Sequence, residues 1–462
     1  MKRKIYLENI AFIILIMGII SISFNNFLFM AVLLTWIFCV KYALRHFKER
    51  VMLLVFLSVF FIFLIGRDFV QVFFGYKLEN FSDEIQNYAH ISLLISLLSL
   101  VGSYYFFYKL KRKKKKKKEK KSYSRIREKT QKLSRIFFFV VLIFSCTSEI
   151  MLIKYIFKFS YIQYYVEYFK VLQSNLILYL INKIELLLPI ILSIYLSTFP
   201  PKKEVRPVFH FYGLYLILSL GSGQRSKFIL GVIYIFVYIV KRHSLSPYEK
   251  WFKNKYVIAL LMISPILMIF LSLYSSWRMG ISTDRSFLES LLSFFYEQGV
   301  SLNVIKRGYE YKYLVLPNHL YTLEFMKSGW IARILGIPIY HGNTVEHALY
   351  GGSYTHMIGY IVLKDSYLAG LGIGSSYIAE LFQDFGYIGI ILGNILYGYL
   401  IVSIDNIKKN DIFWTSIKFT ILQALLWSIR ASFSGFLTIL LAPTTMLAFC
   451  IIFIRKKLRK SI

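Results

Sequence analysis

Hydrophobic and polar positions in this chain are segregated into long blocks. Twelve apolar stretches lie near 5–24, 27–44, 51–66, 91–108, 136–153, 173–198, 207–220, 227–240, 255–275, 386–403, 412–430 and 435–454. A run of about 20 apolar residues spans a bilayer as a helix. The pattern therefore predicts an all-α polytopic membrane protein, a single membrane domain over 1–462 with about twelve transmembrane helices. The first block carries Glu8 and no small-residue cleavage pattern, so it is expected to remain as a span. The ninth and tenth blocks are separated by about a hundred residues, 277–385, expected to fold as one large loop.

Charge orients this arrangement. The formal net charge is +32. In a soluble chain that would suggest nucleic acid; here the rule that short basic loops face the cytoplasm accounts for it. With the amino terminus inside and the spans alternating, the cytoplasmic segments hold 38 of the 56 Lys and Arg residues. Segment 277–385, then outside, carries eight basic and nine acidic residues. Both termini are thus expected in the cytoplasm. The most basic stretch, "KLKRKKKKKKEKK", falls in the cytoplasmic loop 109–135 and reads as a solvated topology anchor, the alternative being a site for anionic headgroups of membrane lipids. No folded basic module accompanies it, so no nucleic-acid partner is expected. Cys39, Cys146 and Cys450 all fall inside spans, where a thiol is a small packing group, and no cysteine pattern suggests a metal or cofactor.

The large loop is aromatic and low in repeats, so it is expected to bury apolar area as a cap on the membrane domain. Within it, "SFLESLLSFFYEQGV" (286–300) has helical apolar spacing and predicts an amphipathic helix on the outer interface. No inverted repeat relates the two halves, which counts against a secondary transporter.

Candidate chemistry begins with "GSGQRSKFIL" (221–230), an outward turn holding Arg225 and Lys227 on the side where cations are scarce. From residue 207 to 240 there are 34 positions, fewer than the about 40 two spans need, so the turn is expected to sit below the surface. Two readings fit: snorkelling to lipid phosphate, or a functional anion site. Arg278, Arg285 and Arg430 are predicted at the same depth from other segments, and guanidinium forks match phosphate oxygens. In "SSYIAELFQDFG", Tyr377, Glu380 and Asp384 fall on one helical face, after a turn containing Gly370, Gly372 and Gly374, with Ser375 or Ser376 as cap. Glu380 is the candidate general base, set against an ion-pairing role for both carboxylates. His341 and His356 are candidates for acceptor binding and proton transfer; "HGNTVEH" lacks zinc-site spacing.

The outward arginine turn, the single large loop and the closing "GLGIGSSYIAELFQDFGYIGIILGNILYGYL" resemble the O-antigen and capsular repeat-unit polymerases, the Wzy-type family. The resemblance implies a cofactor-free glycosyltransferase of the bacterial cytoplasmic membrane. It would act on the outer face on undecaprenyl-pyrophosphate-linked oligosaccharides, beside a flippase and a chain-length regulator of the same pathway. It implies Arg225, Arg278, Glu380 and His356 as catalytic groups. Lys227, Arg285, Arg430, Tyr377, Asp384 and His341 would bind pyrophosphate or sugar. Pyrophosphate is a competent leaving group, so transfer is expected without a metal. The related O-antigen ligases favour a His followed eleven positions later by Gly, a spacing met by His341 and Gly352. A ligase and a lipid-linked oligosaccharide flippase are the alternatives.

Overall fold

In lipid a chain must satisfy its own backbone N–H and C=O groups, and a helix does so within one segment. The computed structural model describes residues 26–113, 124–159, 163–164, 171–172, 174–278, 285–316, 319–409 and 411–453; side chains at 112–113, 124–125, 254, 256–261 and 275–278 lie outside that description. The helices run α1 Phe27–Leu44, α2 Val51–Phe74, α3 Asp83–Lys113, α4 Ser124–Phe159, α5 Leu176–Ser197, α6 Lys202–Gly221, α7 Arg225–Leu245 and α8 Asn254–Arg278. They continue with α9 Phe287–Gln298, α10 Val300–Glu310, α11 Gly329–Ile334, α12 Val345–Tyr350, α13 Tyr354–Leu363 and α14 Asp365–Leu368. The chain closes with α15 Tyr377–Asp405, α16 Ile412–Trp427, α17 Gly435–Leu441 and α18 Pro443–Phe453. No strand occurs among the described residues.

Eight of these helices are long and apolar enough to cross a membrane, or nine if α17 and α18, bent by 51°, form one broken span. About twelve were expected. The first block, at 5–24, lies outside the described residues, as does the core of the basic run. α6 opens on Lys202, Lys203, Glu204 and Arg206, so only its later part is apolar, and the described apolar part of α8 is Met262–Tyr274. The hairpin extends beyond the 34 positions counted: Pro207 sits within α6 without ending it, and α6 and α7 have 20 and 21 residues. α7 is among the candidate spans, whereas α6, charged over its first turn, is not.

The centre of the bundle is α3 against α15. A Cβ at Gly398 would lie 2.0 Å from Ser103 Oγ and 2.7 Å from the Leu100 carbonyl. Only glycine permits that approach, the small-residue packing that membrane helices favour. At one end of the bundle, Asp405 closes the start of α2. Its carboxylate accepts from the amides of Met52 at 3.0 Å and Leu53 at 3.3 Å, accepts from Tyr104 at 3.0 Å, and pairs with Lys241 at 3.2 Å. Those amides are orphans of a helix start, and Arg50 at the cap position offers no acceptor.

At the other end sits the segment from α9 to α14. A capping box between Ser286 and Glu289 starts α9. Leu302, Ile305, Tyr321, Tyr354 and Ile358 join the same buried core as the spans, so the segment is packed and helical throughout much of its length.

Candidate functional site

The last turn of α9 gathers three arginines from three distant parts of the chain. Arg67 Nη1 donates to the Tyr296 carbonyl at 2.7 Å, with its guanidinium 3.7 Å over the Tyr296 ring. Arg285 Nη1 reaches Glu297 at 3.3 Å and Ser293 at 2.6 Å. Arg430 Nη1 donates to the Gln298 carbonyl at 3.3 Å and to its Oε1 at 3.4 Å. A helix C-terminus is the negative end of the backbone dipole, so cations collect there. Gly299 makes the approach possible: a Cβ there would lie 2.4 Å from Arg67 Cβ. One turn before Arg67, α2 passes through a π-helical turn, Phe61–Ile65, a feature that redirects the residues after it.

Arg225 is the first residue of α7, after a turn in which Gly223 takes φ +77°. Its Nη1 donates to the Leu271 carbonyl of α8 at 2.7 Å. The side chain of Arg278, which ends α8, lies outside the described residues. Lys227 sits between two carboxylates, 2.5 Å from both Glu149 and Glu185, and Tyr215 donates to Glu185 at 3.0 Å. Two carboxylates thus flank the cation that the sequence reading assigns to pyrophosphate. The structure thus brings Arg285 and Arg430 to one turn and anchors Arg225 and Lys227 to other partners.

The three residues at the start of α15 diverge in what they touch. Tyr377 is fully buried, sharing hydrogen bonds at 2.9 Å with Ser96 and Asn394. Glu380 is sealed from solvent and accepts from Ser375 at 2.7 Å, Ser432 at 3.2 Å and the Phe433 amide at 2.8 Å. Asp384 accepts from the Tyr321 and Thr322 amides at 3.1 and 2.8 Å and from the Thr322 hydroxyl at 2.7 Å. Neither carboxylate takes an arginine in these bonds. Each fastens α15 to a backbone amide of another segment, a charge-assisted bond. Ser376 occupies the cap position without a side-chain cap bond. Gly374, at φ +77°, lies against the Arg430 carbonyl, and the chain breaks again at Gly386, φ +60°, before the span proper.

Among the histidines, His341 is exposed, whereas His356 is packed. The rings of His347 and His356 stack with centroids 3.6 Å apart, and His356 Nδ1 shares a hydrogen bond with Tyr367 at 2.8 Å. Burial, and next the facing His347, push His356 down to about 4, so it is neutral near pH 7.

Sequence reasoning missed a second charged group beside the arginine turn. Asp68, 5% exposed, accepts from Lys306 at 2.8 Å on one oxygen and meets His90 Nε2 at 2.8 Å on the other. Glu79 is bonded by Arg67 at 2.6 and 3.2 Å, by Asn303 at 2.9 Å and by Tyr296 at 3.2 Å. Burial works against its charge, but Arg67 prevails and holds it below the usual carboxylate range. Asp68, Glu79, His90 and Lys306 line a cavity of about 740 Å³. The signal was "GRDF", two charges within an apolar run.

An all-helical bundle with eight or nine candidate spans and buried charge at both ends defines a polytopic membrane protein. Its sequence matches the family model for O-antigen polysaccharide polymerase Wzy over residues 5–461, essentially the whole chain. The chain belongs to that family, and the role it carries is that of an O-antigen polymerase. No curated protein and no solved structure matches the chain.

Proposed function

We propose that the protein joins lipid-pyrophosphate-linked oligosaccharide repeat units into a surface polysaccharide at the outer face of the bacterial cytoplasmic membrane. The arginine-bearing end of the bundle would face outward. The observation that carries this reading is the meeting of Arg67, Arg285 and Arg430 on the last turn of α9. A departing pyrophosphate gathers negative charge, and fixed guanidinium donors stabilise it most where it gathers. Arg225, which begins α7, and Arg278, which ends α8, would add positive charge for the same leaving group. Lys227, between Glu149 and Glu185, holds α7 in place. Glu380, Asp384 and Tyr377 act by positioning, because each is committed to a bond that ties α15 to a neighbour, for Tyr377 the one shared with Ser96 of α3. His341 and neutral His356 belong to the capping segment, where they would meet the sugar chain and not the phosphate.

Arg225 supplies the test. Arg225→Ala should lose polymer while single units persist, and Arg225→Lys should be severely impaired, because lysine keeps the charge but not the fork. Loss of one such donor costs about a hundred- to a thousandfold in rate. The measurement is a gel of surface polysaccharide from cells lacking the native gene and carrying each variant at matched membrane levels. A normal ladder from Arg225→Ala overturns the reading. Transfer by purified protein should also persist in EDTA, the guanidinium groups meeting the leaving-group charge; activity lost in EDTA and regained only with a divalent ion would refute that.

A further inference from the structure

The cavity beside the arginine turn is not needed to hold pyrophosphate, and its walls argue against an anion. Asp68, Glu79 and Asp83 line it against a single lysine, Lys306. Apart from His90, the remaining polar lining, including Gln71, Gln86 and Asn87, is carboxamide, and Phe27 and Phe73 add ring surface. Carboxylates and carboxamides bond hydroxyl pairs, and aromatic rings stack on the C–H faces of a sugar. At about 740 Å³ the cavity falls within the about 300–1,000 Å³ typical of ligand pockets. It suits the uncharged, hydroxyl-rich part of an oligosaccharide.

One wall carries a specific device. Lys306 Nζ occupies one oxygen of Asp68 at 2.8 Å, which leaves the other to accept from His90 Nε2 at 2.8 Å. The bond made by one ring nitrogen fixes the tautomer of the other. With Nε2 donating to Asp68, the lone pair of Nδ1 is the basic site. Asp68, His90 and Lys306 are each no more than 5% exposed, so the arrangement is rigid, and all three line the cavity. The link to the arginine turn is direct, because Arg67 follows Gly66 in the same helix as Asp68. Its guanidinium holds Glu79 on the cavity side and the Tyr296 carbonyl on the other.

We propose that this cavity holds the acceptor sugar and that His90 takes the proton from its attacking hydroxyl. The inference rests on the polymerase reading above. The hydroxyl oxygen forms a bond to the anomeric carbon of the growing chain. The bond from that carbon to the pyrophosphate oxygen breaks, its electron pair leaving with the lipid pyrophosphate. The hydroxyl proton passes to His90 Nδ1 and from there to the released pyrophosphate, so no further reactant is required. Asp68 is the positioning residue that sets the tautomer, and Lys306 holds Asp68 in turn.

The test uses membranes containing the full chain, supplied with lipid-linked repeat units extracted from cells that lack it. His90→Ala should slow chain growth at least a hundredfold at matched protein level, within the 10²–10⁴ range of a positioned base. Added imidazole should restore a measurable part of the His90→Ala rate and none of the Arg225→Ala rate. A merely structural histidine is not rescued in this way. A normal His90→Ala rate, or a loss that imidazole leaves unrestored, overturns the assignment. Asn87→Trp keeps the idea testable if His90→Ala fails to reach the membrane. Asn87 is an exposed member of the lining, so tryptophan there obstructs the cavity while leaving Asp68 and His90 in the chain. It should raise the KM for the lipid-linked unit at least tenfold with little change in kcat, and an unchanged KM removes the cavity from the reaction. Absence of any polymer from wild-type membranes would instead sink the polymerase reading itself.

Discussion

The two ends of the bundle bury charge in different ways. At one end, Asp405 is surrounded: two amides, a tyrosine and Lys241 occupy it, and its own side chain is inaccessible. At the other, Asp68 is also buried and is paired with Lys306 and His90, yet it and its histidine partner line a cavity, and the next residue back, Arg67, reaches a turn shared with two more arginines. A buried carboxylate that is completely enclosed fastens helices together. One whose partner faces open space holds a group ready for something else. Burial alone does not separate structure from chemistry; the boundary of the network does.

The comparison breaks most visibly at Asp405. Asp405→Ala leaves the buried charge of Lys241 without its carboxylate and two helix-start amides without their acceptor, at a cost of about 3–5 kcal/mol. The protein should largely disappear from membranes, as read by immunoblot against total expression. Asp68→Asn keeps an acceptor for one partner and so should lose less protein than Asp405→Ala, while the polymer made per molecule should fall much further than the protein level. Equal loss of protein from both variants would erase the distinction between the ends.

A smaller effect separates the ends by pH. His356 has its folded pKa pushed to about 4, below the ordinary 6.5. Between those values the unfolded chain binds more protons, so this histidine's stabilising contribution is complete above about pH 6.5 and is lost as pH falls toward 4. The shift corresponds to about 3 kcal/mol. Amide exchange should accelerate over Thr344–Leu368 as pH drops through that window, after correction for intrinsic rates, and His356→Phe should suppress the change. Exchange that accelerates equally in both proteins would assign the effect elsewhere.

The smallest expected effect is at Gly299. Gly299→Ala forces a methyl group against Arg67 Cβ and should cost about 1–3 kcal/mol. If the arginine turn matters to polymer growth, the ladder should shorten or fade at unchanged membrane level. A ladder identical to wild type would show that α2 and α9 tolerate separation there.

Most helices were legible because a lipid-spanning segment announces itself by length and apolarity, which act locally. Their ends were less even: α6 continues through charged residues and Pro207, whereas the start of α15 at Tyr377 was marked by the glycines and serines before it. The site was legible in fragments. Arg285 and Arg430 stood out as cations at a predicted membrane edge and do meet on one turn, but their partner Arg67 comes from a helix 229 positions away from Tyr296. No periodicity encodes such a pairing. Glu380 and Asp384 were visible as carboxylates on a helix start. Whether they would face a cavity or a backbone amide depends on how residues 428–434 and 321–322 fold against them, and that is a tertiary fact.

Asp405 also sets an order of events in time. The first amides of α2 are orphans until a carboxylate 353 positions later reaches them. At about 5–20 residues per second of synthesis, the ribosome needs roughly 20–70 s to cover that distance. Throughout that interval α2 is in place with its first turn unclosed, so the earliest spans wait on one of the last. A ribosome that stalls before residue 405 leaves a membrane protein that looks nearly whole in length and is open at its base.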